Sequence, residues 1–367
     1  MKIANVEVFP VIVPLKKAAE SAHGAATEQG SVVIRITTGG GEYGVGAVDP
    51  LPGYDEESME EMVAIVQGQL TPRIMGEDPR RIRRIVDIMD AAVPRHLGSK
   101  AGVEMALFDL LGKTLGVPVH AFFGGRVKDE IALNGWLGIV NPDKAREETQ
   151  EMLDRGFRSL KVKINADIAG ARERVGAVKS VAGDRMKVRV DANEALNLAQ
   201  AREAVRALEP FGVEYLEQPM PREKVEDFIE LAKFSRVKLM ADESIQDMES
   251  LVQILKCGTI PFVKVKVQKM GGLLKTYQAV QVAEAFGVPV ILGHGFGLTL
   301  NTLAELHLAA CTPAVMDGCE SVGPIKMADD VVKEPLIMSR GVVPVPTKPG
   351  LGADLEEAKL KKFLVKG

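Results

Sequence analysis

Apolar and polar positions in the first third of this chain fall into two patterns. Residues 2–13 and 31–38 alternate, the period of a strand with one buried face. Segments 56–69, 78–90 and 99–115 carry apolar residues at helical spacing, and Gly116-Val-Pro118 stops the last of them. Ala18–Gly30, small, polar and glycine-containing, predicts a loop between the two strands, and Asp49–Tyr54 predicts a second. The N-terminal apolar stretch is broken by Glu7, Pro10 and Pro14, which predicts a strand rather than a signal-peptide core. Residues 1–127 therefore predict an α+β domain.

From about residue 130 the pattern becomes a strand–helix alternation. Near-continuous apolar runs at 131–139, 159–164, 186–192, 213–218, 238–242, 262–267, 289–293 and 317–320 predict strands buried on both faces. Helical periodicity lies between them at 142–155, 167–182, 198–209, 223–233, 247–256, 273–286 and 298–310. Eight strands with seven intervening helices predict an α/β fold, a barrel of TIM type over residues 128–329. Residues 330–367 add no further unit and are expected to return to the N-terminal domain.

Composition narrows the function classes. The chain has 367 residues, 46% hydrophobic and 26% charged, with a net charge of −4 and both signs interspersed. That balance argues against nucleic-acid or anionic-membrane partners. No apolar run approaches the roughly 18 residues needed to span a bilayer. Cys257, Cys311 and Cys319 lack metal-site spacing and point to a reducing cytoplasm.

In barrels of this type, side chains at the C-terminal ends of the strands form the site. Asp191 (VRVDAN), Glu217 (YLEQP) and Asp242 (MADES) end consecutive strand segments, 26 and 25 residues apart. Three hard oxygen donors from neighbouring strands suit magnesium. Taken singly, each reads more readily as a helix cap, and it is the three in register at strand ends that favour the metal. Lys161 and Lys163 lie two apart on one strand and so face the same way. Two ammonium groups that close are expected to depress each other's pKa, which would make a base near neutral pH. Lys266 precedes Gly271-Gly272, where a strand–helix turn lets the backbone approach a ligand. Trp136, Asn193, His294 and Glu320 fall at other strand ends. Glu320 is expected to pair with a cation if buried, with Lys266 as the expected partner.

Lys-x-Lys, Asp-x-Asn, Glu-Gln-Pro, Asp-Glu-Ser and Lys-x-x-Lys-x-Gly-Gly, in this order, resemble the enolase superfamily. Within it they are similar to the mandelate racemase/muconate lactonizing enzyme family, muconate-lactonizing subgroup. The resemblance implies a capping domain and a modified (β/α)7β barrel. It implies magnesium, with manganese as the alternative, on Asp191, Glu217 and Asp242. It implies Lys163 and Lys266 as acid and base on opposite faces of a small carboxylate, with Lys161 near the substrate carboxylate. It further implies a metal-stabilised enediolate and a homo-oligomer. Two departures stand out: Lys266 replaces the aspartate of a histidine–aspartate pair with His294, and Lys264 stands where asparagine is common.

The family's substrate-selecting loops match Ala18–Gly30 and Asp49–Tyr54, so Ser21, His23 and Tyr54 join Trp136, Asn193, His294 and Glu320 as candidate substrate contacts. Two lysines on opposite faces favour racemisation or epimerisation of an amino-acid derivative. Glu320-Ser-Val-Gly323-Pro324 resembles a cycloisomerase motif and keeps muconate-type lactonization as the alternative, with syn-elimination from an acid sugar third. A binding protein without activity is the reading from another class, and the intact set of acids and lysines weighs against it.

Overall fold

The computed structural model describes residues 1–21, 24–51, 55–294 and 296–365, and for 18–21, 24 and 25 the backbone alone. Strands β1 (Ile3–Ser21), β2 (Gly24–Thr38) and β3 (Tyr43–Val48) form an antiparallel sheet in that order. The expected loop at 18–30 is instead the end of a long hairpin, with Ala19 opposite Ala26, Glu20 opposite Ala25 and Ser21 opposite Gly24. Small residues pair there as readily as they loop, because ladder hydrogen bonds need no side chain. His23 and Tyr54 lie outside the described residues, as does the side chain of Ser21.

A helix at Leu97–Leu115, buried on almost every face, covers this sheet. Its close approach depends on glycines: a Cβ on Gly46 would stand 2.3 Å from the Gly102 carbonyl oxygen, and one on Gly44 2.2 Å from that of Ala106.

The second half is a parallel sheet ordered β11-β10-β9-β8-β7-β6-β5, comprising β5 (Gly135–Leu137), β6 (Ser159–Lys163), β7 (Lys187–Asp191), β8 (Leu216–Glu217), β9 (Leu239–Ala241), β10 (Phe262–Val265) and β11 (Val290–Leu292). The eighth expected strand is an irregular segment that nonetheless bonds on both sides. Met316 N donates to Val290 O and Glu320 N to Leu292 O, both at 2.9 Å; on the other side Cys319 N donates to Ala132 O and Asn134 N to Cys319 O. This closes the sheet into a barrel. The first expected strand divides: β4 (Glu130–Ala132) pairs antiparallel with β12 (Val342–Pro344), while β5 joins the barrel.

Local chemistry explains the helix starts. Asn197 and Gln200 make a capping box for the helix Leu198–Leu208, and Asp247 with Ser250 makes one for Met248–Cys257. Asn141 caps the helix Pro142–Asp154. The helix Val225–Phe234 follows Lys224 with no side-chain cap.

Buried carboxylates tie the N-terminal part to the barrel and to the C-terminal tail. Glu104, on the long helix, accepts from the backbone N–H groups of Leu273 and Leu274 and so caps a barrel helix whose own Gly272 has no side chain to offer. Asp109 joins Val45 N at 2.8 Å to Leu351 N at 2.7 Å. The last residues bond to the N-terminal part, with Val365 N donating to Pro10 O and Val119 N to Gly350 O, each at 2.9 Å. Among the described residues, no helix is long and apolar enough to cross a membrane.

Gly46→Ala is expected to destabilise the protein by roughly 2–3 kcal/mol, since neither the strand nor the helix backbone can yield. A thermal melt checks this, and an unchanged midpoint would mean that sheet and helix separate without cost.

Candidate active site

The ends of β6 to β10 place a row of carboxylates from β7, β8 and β9 between lysines from β6 and β10. The register sets Lys163 beside Asp191 and Asp191 beside Glu217. Asp242 follows β9 directly, and Lys264 lies within β10, two residues before Lys266. Asp191, Glu217 and Asp242 are at most 1% exposed. None of them caps a helix. Asn197 and Asp247 take that role after β7 and β9, and no side chain takes it after β8.

Each acid is held by ammonium groups. Lys163 donates to Asp191 Oδ2 at 2.7 Å and to the Asn193 side chain. Lys161 lies 3.0 Å from the same Asp191 oxygen and 3.3 Å from Glu217. Lys264 lies 3.1 Å from Glu217 and 3.6 Å from Asp242. Lys266 meets Asp242 Oδ2 at 3.0 Å and Lys269 meets its Oδ1 at 2.8 Å. Lys163 and Lys266 thus sit at opposite ends of the carboxylate row, one on Asp191 and the other on Asp242.

Glu320 differs from expectation. Its partners are Lys161 and Lys264, not Lys266. Lys264 points from within β10 at the depth of Glu320, whereas Lys266 lies past the strand end, level with Asp242. Lys161 also corrects an expectation. Burial would push its ammonium down, but Asp191, Glu217 and Glu320 reverse this and raise it above its ordinary value. Attraction from three carboxylates outweighs repulsion from neighbouring lysines.

Lys266 follows the opposite course. Burial lowers its pKa; Asp242 opposes this, while Lys264 and Lys269 add to the lowering. Burial also pushes His294 down to about 3, helped by Lys266, so it is neutral. Its Nε2 bonds the Asp49 carbonyl oxygen at 2.9 Å, and its backbone N–H donates to Glu305 at 3.0 Å. Asn193 reaches Glu243 Oε1 at 2.9 Å, and Trp136 stands on β5 opposite Lys161. The contact from Lys269 to Asp242 was not expected from the sequence, where the Gly271-Gly272 pair suggested a turn at this point. Lys269 lies in the short helix Val267–Met270, and its three-residue spacing from Lys266 was the available signal.

Among the described residues, no three His, Cys, Asp or Glu side chains are grouped closely enough to hold a metal ion. Lysines stand between the acids: Lys161 is shared by Asp191 and Glu217, and Lys264 by Glu217 and Asp242. The donor chemistry nonetheless fits a hard divalent cation, with buried carboxylate oxygens facing common points of positive charge. Glu217 carries the clearest sign of unmet demand. Burial and the adjacent Asp191 push its carboxyl up to about 8 despite both ammonium neighbours.

Residues 3–124 match the family model described as mandelate racemase/muconate lactonizing enzyme, N-terminal domain, and 144–359 match enolase C-terminal domain-like. Muconate cycloisomerase 1 of Rhodococcus opacus is 31% identical, over 99% of this chain and 98% of its own. The structure of N-succinyl Arg/Lys racemase from Bacillus cereus superposes with a TM-score of 0.96 at 26% identity, covering 100% of this chain and 99% of that one. That of muconate lactonizing enzyme from Pseudomonas fluorescens with muconolactone gives 0.95 at 29%, covering 99% of each chain.

Glu320→Gln should lower stability near neutral pH by about 3 kcal/mol, because two buried ammonium groups lose a shared counter-charge. Burial raises the Glu320 carboxyl, but Lys161 and Lys264 pull it down to about 2, below the roughly 4.3 of an unfolded chain. Its contribution is therefore complete above the unfolded value and lost as pH falls toward 2. Melting curves of the two proteins should converge as pH drops from about 5 to 2, and a constant gap would contradict this pairing.

Proposed function

The chain belongs to the mandelate racemase/muconate lactonizing enzyme family of the enolase superfamily and is an isomerase of it, and from that premise we propose that it racemises or epimerises a carboxylic acid at the carbon next to its carboxylate. The observation that carries this is the placement of Lys163 and Lys266 at opposite ends of the carboxylate row.

A substrate lying across the row has one lysine on each face of its α-carbon. The lysine that is neutral takes the α-proton, and the ammonium on the other face returns one. The two must hold opposite protonation states, and the lowered Lys266 suits either role at modest cost. Lys161, kept charged by its carboxylates, is a fixed positive group beside the substrate carboxylate. Asp191, Glu217 and Asp242 would hold a magnesium ion, which supplies positive charge against the carboxylate oxygens as the α-proton leaves. Lys161 and Lys264 would shift from these acids as the ion enters. In this reading residues 128–329 carry the chemistry, while residues 1–127 and the tail 330–367 cover it. Trp136, Asn193 and His294, with Ser21, His23 and Tyr54 in the capping loops, are proposed to select the substrate.

Lactonization of a muconate-type diacid is the second reading. It is favoured by Glu320-Ser-Val-Gly323-Pro324 and by the 31% identity to the Rhodococcus opacus muconate cycloisomerase. NMR in D2O with N-acylamino acids, dipeptides and cis,cis-muconate separates the two. Solvent deuterium at the α-carbon of recovered substrate is expected. Lactone formation from muconate without such exchange would establish the second reading instead.

Lys163→Ala and Lys266→Ala should each reduce racemisation by about 10³-fold or more, while each retains α-proton exchange with one enantiomer only. Equal loss of exchange with both enantiomers would refute a two-base arrangement. Asp242→Asn should weaken magnesium binding by roughly tenfold or more in a calorimetric titration; unchanged affinity would remove Asp242 from the ligand set.

A further inference from the structure

The three acids of the row are not held alike. Asp191 and Glu217 are strand residues, paired with each other in the β7–β8 register. Asp242 is not, because β9 ends at Ala241, and the β8–β9 register ends one residue earlier, with Glu217 opposite Met240. The backbone of a buried residue just past a ladder needs partners from elsewhere.

The side chain of Gln218 supplies one. Its backbone N–H donates to Met240 O at 2.9 Å. Its Oε1 then accepts from the backbone N–H groups of Asp242 at 3.1 Å and Ser244 at 3.2 Å. Its Nε2 donates to Met220 O at 2.8 Å and to Ser244 Oγ at 2.7 Å. Two acceptor sites and two protons are all that a carboxamide offers, and all four are used. The partners also fix its orientation, since a flipped amide would set its NH2 against two N–H groups. The side chain thus continues the link from β8 to the segment after β9 without lengthening either strand.

The backbone at this point is constrained as well. Gln218 has a φ of +31°, a sign that residues with a Cβ rarely adopt. Such a conformation persists where the surroundings over-determine it, and Gln218, Met220 and Ser244 are all buried.

We propose that Gln218 is a positioning residue whose carboxamide fixes Asp242 relative to Glu217 and thereby sets the size of divalent cation that the acid row accepts. This rests on the proposed reading of Asp191, Glu217 and Asp242 as the acids that hold magnesium. Magnesium takes oxygen donors at about 2.0–2.1 Å in a near-ideal octahedron, whereas calcium takes them at about 2.3–2.6 Å in flexible arrangements. A rigidly held Asp242 favours the smaller ion, and loosening it penalises the smaller ion more.

Calorimetric titration of the full chain with magnesium and with calcium tests this. Gln218→Met keeps the volume and removes the four hydrogen bonds of the amide. It should weaken magnesium binding by about tenfold or more and calcium binding by less than about threefold. Gln218→Glu, whose oxygen still accepts from both N–H groups, should keep the wild-type ratio of the two affinities to within about threefold. If the methionine variant does not fold, Ser244→Ala, which removes one acceptor of the amide, should shift the ratio in the same direction by about twofold or more. Equal loss of both ions in Gln218→Met overturns the proposal and makes the amide a general brace of the loop. Unchanged magnesium affinity in that variant overturns it too. The ligand reading fails by a different result: if Asp242→Asn binds magnesium as wild type does, or wild type binds none, the row is not the metal site and this inference falls with it. Weakened binding in Asp242→Asn beside an unchanged ratio in Gln218→Met removes only Gln218 and leaves the metal reading standing.

Discussion

Charge buried where strands end is the constraint on which this structure turns. An isolated carboxylate or ammonium at the depth of Asp191 or Lys264 would cost several kcal/mol. Neither exists alone: every acid of the row touches an ammonium from another strand of the barrel. The match holds only in one register, because a slip by one residue turns each side chain to the opposite face of the sheet. Parallel pairing of Lys163 with Asp191 and of Asp191 with Glu217 is thus a condition for burying the charges at all. Closure by the irregular segment before Glu320 completes the enclosure, since that segment brings the acid that Lys161 and Lys264 share.

The same economy extends to the region above the barrel. Asp49 follows β3 and accepts from Leu298 N at 3.2 Å and from Asn301 at 2.9 Å. Its carbonyl oxygen holds the ring of His294. The residue that follows β3 therefore reaches the end of the seventh barrel strand through one hydrogen bond. Burial pushes the Asp49 carboxyl up to about 7, so its hydrogen bonds matter more than its charge. Asp49 and the end of β11 thus share a fixed anchor, of which the neutral imidazole of His294 is a part.

Local and repeating features of the fold were legible in the sequence. All seven barrel helices lie within two residues of their expected ends, because their apolar period, Asn197, Asp247 and Gly258 are signals within one short segment. The carboxylate row was legible for the same reason: each acid ends a strand, and the strands recur at nearly constant spacing. The hairpin through residues 18–30 was not, because its small residues have no alternating pattern and only the partner strand fixes their conformation. The partners of Glu320 and the raised Lys161 depend on depth along the barrel axis, which spacing does not encode.

Lys264 and Lys266 show what depth alone accomplishes. Two residues apart at the end of one strand, they are both buried and both near Asp242. Burial lowers each, yet Glu217 and Glu320 carry Lys264 well above its ordinary value while Lys266 stays below. The deeper lysine is locked into the charged form by a surplus of acids, and a lysine so locked cannot exchange protons during turnover. Its fixed charge instead acts on Lys266, disfavouring a second ammonium close by. Asparagine at position 264 would remove that push and leave Glu217 and Glu320 short of a counter-ion. The departure from asparagine is therefore tied to the acids that Lys264 neutralises, and a change at one of these positions calls for a change at the others.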